Sequence, residues 1–167
     1  MGIIWSLFGY DTGRIDDPDP TTGLTSREKF HIRTSWAKIM KNPTESGVAL
    51  LLLYFKKHPY SKELFSFKNI PDEELPKSVQ FKAHCNSVIH TVASIIDSLD
   101  STDLLVIIIE RIGTTHKPRN VTPKLFMELK ETMLELFSSI MKKEEIEAWE
   151  KASQVVFTVI INGLNKQ

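Results

Sequence analysis

The sequence predicts an all-α protein. Apolar residues recur three, four or seven positions apart through most of the chain, as they do along one face of a helix. Prolines at positions 43, 59, 118 and 123 divide these stretches into segments of helical length. Neither sustained strict alternation nor a two-residue hairpin signal occurs, so the pattern does not favour a sheet.

The first two helices are bounded by caps and prolines. Thr25 or Ser26 can cap the first, and Glu28 can support its first turn. Its apolar residues recur at near-helical spacing: Phe30, Ile32, Trp36, Ile39 and Met40. Pro43 ends this helix and can begin the next, which we expect to end at His58, before another proline. A looser stretch with aromatic residues and prolines then predicts short turns: Phe65, Phe67, Pro71 and Pro76.

Four helices are expected after Ser78. The first has an apolar face made of Phe81, Val88, Val92, Ile95 and Leu99. Thr102 or Asp103 begins the next, and Lys117-Pro118 closes it. Pro123 begins another, with Leu125, Phe126, Leu129, Met133, Leu136 and Ile140 inside it. The last starts near Glu144 and carries Ile146, Trp149, Val156 and Ile160.

Composition indicates one soluble globular domain with an arm. The chain has 167 residues, and its 21 Lys and Arg balance 21 Asp and Glu, which disfavours nucleic acid as a partner. A single cysteine excludes a disulfide scaffold, and no apolar run is long enough to cross a bilayer. We therefore expect a cytoplasmic protein with an irregular arm over residues 1–23 and a folded domain over 24–167.

Two histidines lie on apolar helix faces. His84 is in line with Val88 and Val92, and His116 ends a face that includes Ile109 and Ile112. Each by itself is more often a hydrogen-bonded core residue than a ligand. Two of them on separate helices would also suit a planar cofactor that needs only axial ligands in an apolar slot.

The chain from about Leu24 to the C-terminus resembles the globin family. Trp36 matches the tryptophan of the first globin helix. The second-helix glycine, the pocket leucine and an aromatic residue are matched by Gly47, Leu51 and Phe55. Pro59 matches the helix-breaking proline, and Phe65 matches the phenylalanine that stacks on heme. The segment Phe81-Lys82-Ala83-His84-Cys85 is similar to the distal-histidine motif of globins. Ile112-Gly113-Thr114-Thr115-His116 is similar to the proximal one, and Val121-Thr122-Pro123 with Phe126 matches the start of the next globin helix.

This resemblance implies a globin fold of about eight helices around heme b (iron protoporphyrin IX). His116 would be the proximal iron ligand and His84 the distal residue, a possible sixth ligand. The implied pocket residues are Leu51, Phe65, Val88, Ile112 and Val121, and the implied propionate contacts are Arg119 and Lys82. Gly47 and Cys85 would lie at a close helix crossing, so Cys85 is interpreted as a small packed residue rather than a redox switch.

Departures from oxygen-carrying globins favour two-histidine coordination. His116 and Val121 are five residues apart, one fewer than in typical vertebrate carriers and similar to neuroglobin. Ser87 stands where carriers often place Lys or Arg. Neuroglobin, cytoglobin and globin X commonly let the distal histidine bind iron, so the resemblance implies a bis-histidyl iron when no gas is bound.

The N-terminus matches a lipidation pattern. Gly2 and Ser6 fit the myristoylation signal, with a chance match in an ordinary N-terminus as the alternative. Residues 1–25 carry one Arg and four Asp and no cysteine, so a lone acyl chain predicts only weak or switchable membrane association.

Three functions follow from the resemblance. The first is reversible binding of O2, CO or NO for oxygen storage, transport, sensing or scavenging. The second is heme-based redox enzyme or electron-transfer activity near a membrane, such as NO dioxygenation, nitrite reduction or peroxidase-like chemistry, with an external reductase. The third is a heme-free structural or signalling domain, which the presence of His84, His116 and Phe65 disfavours.

Overall fold

The computed structural model describes residues 16–166, and it is helical as the sequence predicted. No strand occurs among these residues. Six α-helices follow one another in this part of the chain: α1 (Ser26–Ile39), α2 (Pro43–Lys57), α3 (Val79–Asp97), α4 (Thr102–His116), α5 (Pro123–Ser138) and α6 (Lys143–Asn165). Three short 3-10 helices lie between them: Pro59–Leu64, Leu75–Lys77 and Lys117–Arg119.

The predicted helix starts are confirmed. Thr25 caps α1 with a reciprocal pair of bonds, because its hydroxyl accepts from the Glu28 N–H at 3.1 Å and the Glu28 carboxylate accepts from the Thr25 N–H at 2.7 Å. Ser78 caps α3 through the Phe81 N–H at 3.3 Å. Pro43 and Pro123 occupy the first turns of α2 and α5, where a missing N–H costs nothing.

Two boundaries differ from the prediction. The looser stretch after α2 holds two 3-10 helices rather than turns alone, because its prolines tolerate a tight first turn. Ile140 was predicted inside α5, but that helix ends at Ser138 and Ile140 is 51% exposed. The backbone turns there, with the N–H groups of Ile140 and Met141 both donating to the Phe137 carbonyl. The spacing of apolar residues cannot reveal this helix end, because Ile140 continues the apolar period.

The helices enclose two apolar clusters. The larger contains side chains from all six α-helices, and within it Trp36, Phe137 and Trp149 form an aromatic group. The smaller lies where α2 packs on α3 and includes Phe55, Phe81 and other buried side chains. Burial of these side chains from water is the main force that stabilises the arrangement. No helix in residues 16–166 is long and apolar enough to span a bilayer.

The chain just before α1 is tied to the helices. The Asp19 carboxylate accepts from the N–H groups of Thr21 and Thr22, and the ammonium of Lys29 lies 3.2 Å from it. Lys29 also pairs with Asp100, which follows α3, at 3.3 Å. Thr22 and Leu24 are buried. Gly2 and the rest of residues 1–15 lie outside the described residues, as does Gln167.

Candidate functional site

Helix α3 has two different apolar faces. Phe81 and Cys85 are fully buried in the cluster between α2 and α3, and Ile89 is buried in the larger cluster. His84 and Val88, one position earlier in each turn, are half-buried because they line a cavity. His84 and Val88 therefore lie on one helix face, in the alignment that their spacing predicts, and that face borders the cavity.

Helix α4 presents the second histidine at its C-terminal end. The Nδ1 atom of His116 lies 2.7 Å from the carbonyl oxygen of Ile112. A carbonyl only accepts hydrogen bonds, so this contact assigns the proton to Nδ1 and leaves the Nε2 lone pair free to bind a ligand. Phe126 fixes the other side of the ring, with its centroid 5.4 Å from that of His116.

The turn after His116 leads the chain along the cavity and into α5. Pro118 lies in the 3-10 helix that follows α4, and Asn120 then adopts a left-handed conformation with φ 58°. Asn is one of the few side chains that tolerate this region. Thr122 caps α5 by accepting from the Leu125 N–H at 3.4 Å. This turn brings Val121 and Leu125 into the cavity wall.

A cavity of about 710 Å³ separates the two histidines. This volume is in the range of small-molecule and cofactor sites, roughly 300–1,000 Å³. A second cavity of about 230 Å³ continues from it into the larger apolar cluster. The two cavities share a set of lining residues, which are His84, Ser87, Val88, His116, Phe126 and Leu129. Both imidazoles therefore border one continuous, mostly apolar space.

Most of the predicted pocket residues line this space. Leu51, Phe65, Val88, Val121 and Arg119 line the larger cavity, and Ile112 lines the smaller one. The Arg119 guanidinium donates to the Thr115 carbonyl. Lys82 is half-buried, and it is not among the described residues that line either cavity.

Aromatic rings pack around His84 on its side of the cavity. The Phe65 ring stacks on Phe67 with centroids 5.0 Å apart, and its edge meets Phe55 at 5.2 Å. His84 contacts the same ring at 5.1 Å in an edge arrangement. Such contacts restrict the ring of His84 without using its nitrogen atoms.

The electrostatics of the cavity favour a neutral His84. Burial lowers the pKa of His84 below its usual value, and repulsion from His116 and Arg119 lowers it further. A lowered pKa means that His84 is uncharged at neutral pH. A neutral imidazole offers one lone pair and one N–H donor, so His84 can act as a metal ligand or as a hydrogen-bond donor.

Several cavity residues were not predicted. Tyr54 and Leu129 follow pocket residues Leu51 and Phe126 by three positions, so helical spacing was the signal that could have found them. Gln80 precedes His84 by four positions on α3, so the same spacing could have found it. Others reach the cavity only through tertiary packing and carry no sequence signal, namely Ser61, Leu64, Ser66 and Phe67.

Comparison with known proteins identifies the family. The sequence model of the globin family matches residues 48–160. Cytoglobin-1 of Oryzias latipes is 35% identical over 144 residues, which cover 82% of this chain and 81% of the cytoglobin. The chain is a globin. A globin of Nerita albicilla is 27% identical over 149 residues, covering 86% of this globin and 95% of its relative.

Solved structures agree with this assignment. A hexa-coordinate hemoglobin of Drosophila melanogaster superposes on this globin with a TM-score of 0.78 at 27% identity, covering 82% of this chain and 93% of the other. Membership in the globin family implies heme binding and the binding of diatomic gases such as O2. The cavity is consistent with this, since it is large, mostly apolar and bordered by two imidazoles on different helices.

Proposed function

We propose that this globin binds heme b between α3 and α4, with His116 as the proximal ligand and His84 as the sixth ligand when no gas is bound. The observation that carries the proposal is that both imidazoles border the same cavity, while the Nδ1 atom of His116 is held 2.7 Å from the Ile112 carbonyl. When bound, heme supplies the iron at which O2, CO or NO binds.

Different residues act on the His116 side and on the His84 side of the cavity. His116 donates from Nδ1 to a carbonyl, which fixes the orientation of the ring and raises the basicity of Nε2. On the other side, the neutral His84 supplies either a lone pair or an N–H donor, as the ligand requires. Leu51, Val88 and Val121 exclude water from the space between.

The hexa-coordinate Drosophila hemoglobin supports the two-histidine state, since this chain resembles it in sequence and in fold. We infer a role in O2 storage, sensing or scavenging, in which a gas must displace His84. Only the protein in which His84 is off the iron can bind gas. The apparent gas affinity is therefore the intrinsic affinity multiplied by the fraction of protein in that state.

The test is visible absorption of the purified, heme-loaded protein in its ferric, deoxy-ferrous and CO-bound forms. We expect sharp, split bands in the deoxy-ferrous form, a single broad band for His84→Gln, and loss of stable heme retention for His116→Gln. His90→Gln is the matched control because His90 is exposed on the same helix as His84. A single broad deoxy band in the unaltered protein would refute the bis-histidyl state, and normal heme retention in His116→Gln would refute the proximal role.

We also propose that Gly2 carries a myristoyl group, which gives weak or switchable association with a membrane. The support is the match of Gly2 and Ser6 to the acylation pattern and the lack of a second membrane signal in residues 1–25. Gly2→Ala should reduce the membrane-bound fraction in cells. An unchanged fraction would contradict lipidation.

A further inference from the structure

The two histidines are carried by helices with different supports. Helix α3, which bears His84, packs chiefly on α2, whereas α4, which bears His116, packs chiefly on α6. Contacts between α3 and α4 themselves are sparse, and the cavity lies between them. The separation of the two histidines therefore depends on how closely each helix approaches its own support.

Glycine permits the closest approach at α3. A Cβ atom on Gly47 would lie 2.4 Å from the carbonyl oxygen of Cys85 and 2.9 Å from its Cβ atom. These distances are well inside van der Waals contact, so only glycine fits. Cys85 is the next residue after His84, and this crossing therefore fixes the distal side.

A second glycine contact exists between α4 and α6. A Cβ atom on Gly113 would lie 2.2 Å from the carbonyl oxygen of Ile160 and 2.7 Å from the Leu164 nitrogen. A Cβ atom on Gly163 would lie 2.6 Å from the carbonyl oxygen of Glu110. The two backbones are thus in direct contact, one turn before His116.

The end of α4 is tied to the same part of α6. The Lys166 ammonium lies 2.7 Å from the Glu110 carboxylate, and the Lys117 ammonium donates to the Lys166 carbonyl. Both contacts lie within six residues of His116. They hold the C-terminal half of α4 at the short distance from α6 that the two glycines allow.

We propose that Gly163 is a positioning residue for His116 and that it sets the balance between bis-histidyl and gas-accessible iron. Gly163 lies outside both cavities, on a helix that carries neither histidine. It acts by letting α4 sit directly on the α6 backbone. This inference rests on the proposed roles of His116 and His84.

The physical consequence of a side chain at this position is a displacement of α4. Ordinary Cβ contacts begin at about 3.4 Å, so Gly163→Ala requires the Glu110 carbonyl to withdraw by most of an ångström. The carbonyl belongs to α4, and packed helices shift as units rather than deform. His116 then moves relative to His84, and misplacement on this scale is large for a metal–ligand bond.

The experiment measures the heme-loaded Gly163→Ala protein by visible absorption and by resonance Raman spectroscopy. We expect the ratio of six- to five-coordinate ferrous heme to change about threefold or more, since displacements near an ångström alter reactivity up to about 10²-fold. The iron–histidine stretching band of the five-coordinate form should also shift. Asn162→Ala is the matched control, because Asn162 is the exposed neighbour on the same helix.

Gly47→Ala separates positioning from general loss of stability. It introduces a Cβ atom at the crossing of α2 and α3. It should therefore change the ratio of six- to five-coordinate heme through His84, while the iron–histidine band of His116 stays in place. Unchanged spectra for Gly163→Ala would overturn the inference, as would an equal shift in Asn162→Ala. If instead His116→Gln retains heme normally, the proposed function fails, whatever Gly163→Ala shows.

A second variant covers the case in which Gly163→Ala does not fold. Leu164→Ala loosens the same crossing without a steric clash, because it removes a side chain that is 6% exposed. In the heme-free protein, we expect faster amide hydrogen exchange at positions 113–116 and unchanged exchange at positions 84–88. Equal acceleration in both segments would contradict a specific coupling of α6 to His116.

Discussion

The indole N–H of Trp149 in α6 donates to the hydroxyl of Ser35 in α1 at 2.9 Å, and both residues are buried. Trp149 packs beside Trp36 with ring centroids 5.7 Å apart, and each tryptophan is 5% exposed. Among the described residues, the Nε1 atom of Trp36 has no hydrogen-bond partner. The two rings are therefore alike in size and burial and differ in one hydrogen bond.

Trp149→Phe should destabilise the protein more than Trp36→Phe does. Both changes remove the same atoms, but only the first leaves the buried Ser35 hydroxyl without its donor, a difference of about 1–3 kcal/mol. Chemical unfolding followed by circular dichroism measures both. Equal losses would show that the bond contributes no net stability.

Gly47→Ala should destabilise the crossing of α2 and α3. The new Cβ atom would lie 2.4 Å from the Cys85 carbonyl oxygen, and overpacking of this kind costs about 1–3 kcal/mol. Alanine is also the better helix former, which offsets part of this cost. Thermal unfolding of the heme-free protein gives the net effect.

The double variant Gly47→Ala with Cys85→Ala tests the origin of that loss. The closest atom to the new methyl group is the carbonyl oxygen, which Cys85→Ala leaves in place. We therefore expect little rescue. Full rescue would assign the clash to the sulfur of Cys85 instead, since alanine keeps the Cβ atom.

Cys85 should resist thiol reagents in the folded protein. Its side chain is 0% exposed, and burial raises the pKa of the thiol to about 12, so the reactive thiolate is scarce at neutral pH. Because it is the only cysteine, labelling with a chromogenic disulfide reports directly on this site. We expect slow labelling in buffer and complete labelling in denaturant, whereas rapid labelling in buffer would point to an accessible, redox-capable thiol.

Asp19→Asn should weaken the segment before α1 in a pH-dependent way. The N–H of Thr22 lowers the pKa of Asp19 from 3.8 to about 2, and bonds from Thr21 and Lys29 contribute. A carboxylate with a lowered pKa stabilises the folded state above its unfolded pKa, and this stability is lost as the pH falls through the folded value. The thermal stability of the two proteins should therefore differ at pH 5–7 and converge between pH 4 and 2.

Asp16→Asn is the control for this prediction. Asp16 pairs with Arg27 at 3.0 Å, but both side chains are exposed, and exposed ion pairs contribute little. Its unfolding curve should follow that of the unaltered protein at every pH. A pH-dependent loss in Asp16→Asn equal to that in Asp19→Asn would indicate a general charge effect.

Local sequence determined the elements because their signals act over a few residues. Thr25 with Glu28 marked the start of α1, and prolines at 43 and 123 marked two others, since caps and proline geometry need no distant partner. The end of α5 was misplaced by two residues, because Ile140 continues the apolar period after the backbone has turned.

The sequence by itself also determined the family, and its motifs in α3 and α4 predicted that His84 and His116 share one pocket. Only the tertiary structure decided that Ser61 and Leu64 join the cavity wall beside His84. It alone showed Gly163 against the backbone of α4. Such contacts join residues that are far apart in sequence, and their closeness depends on how helices pack rather than on any local preference.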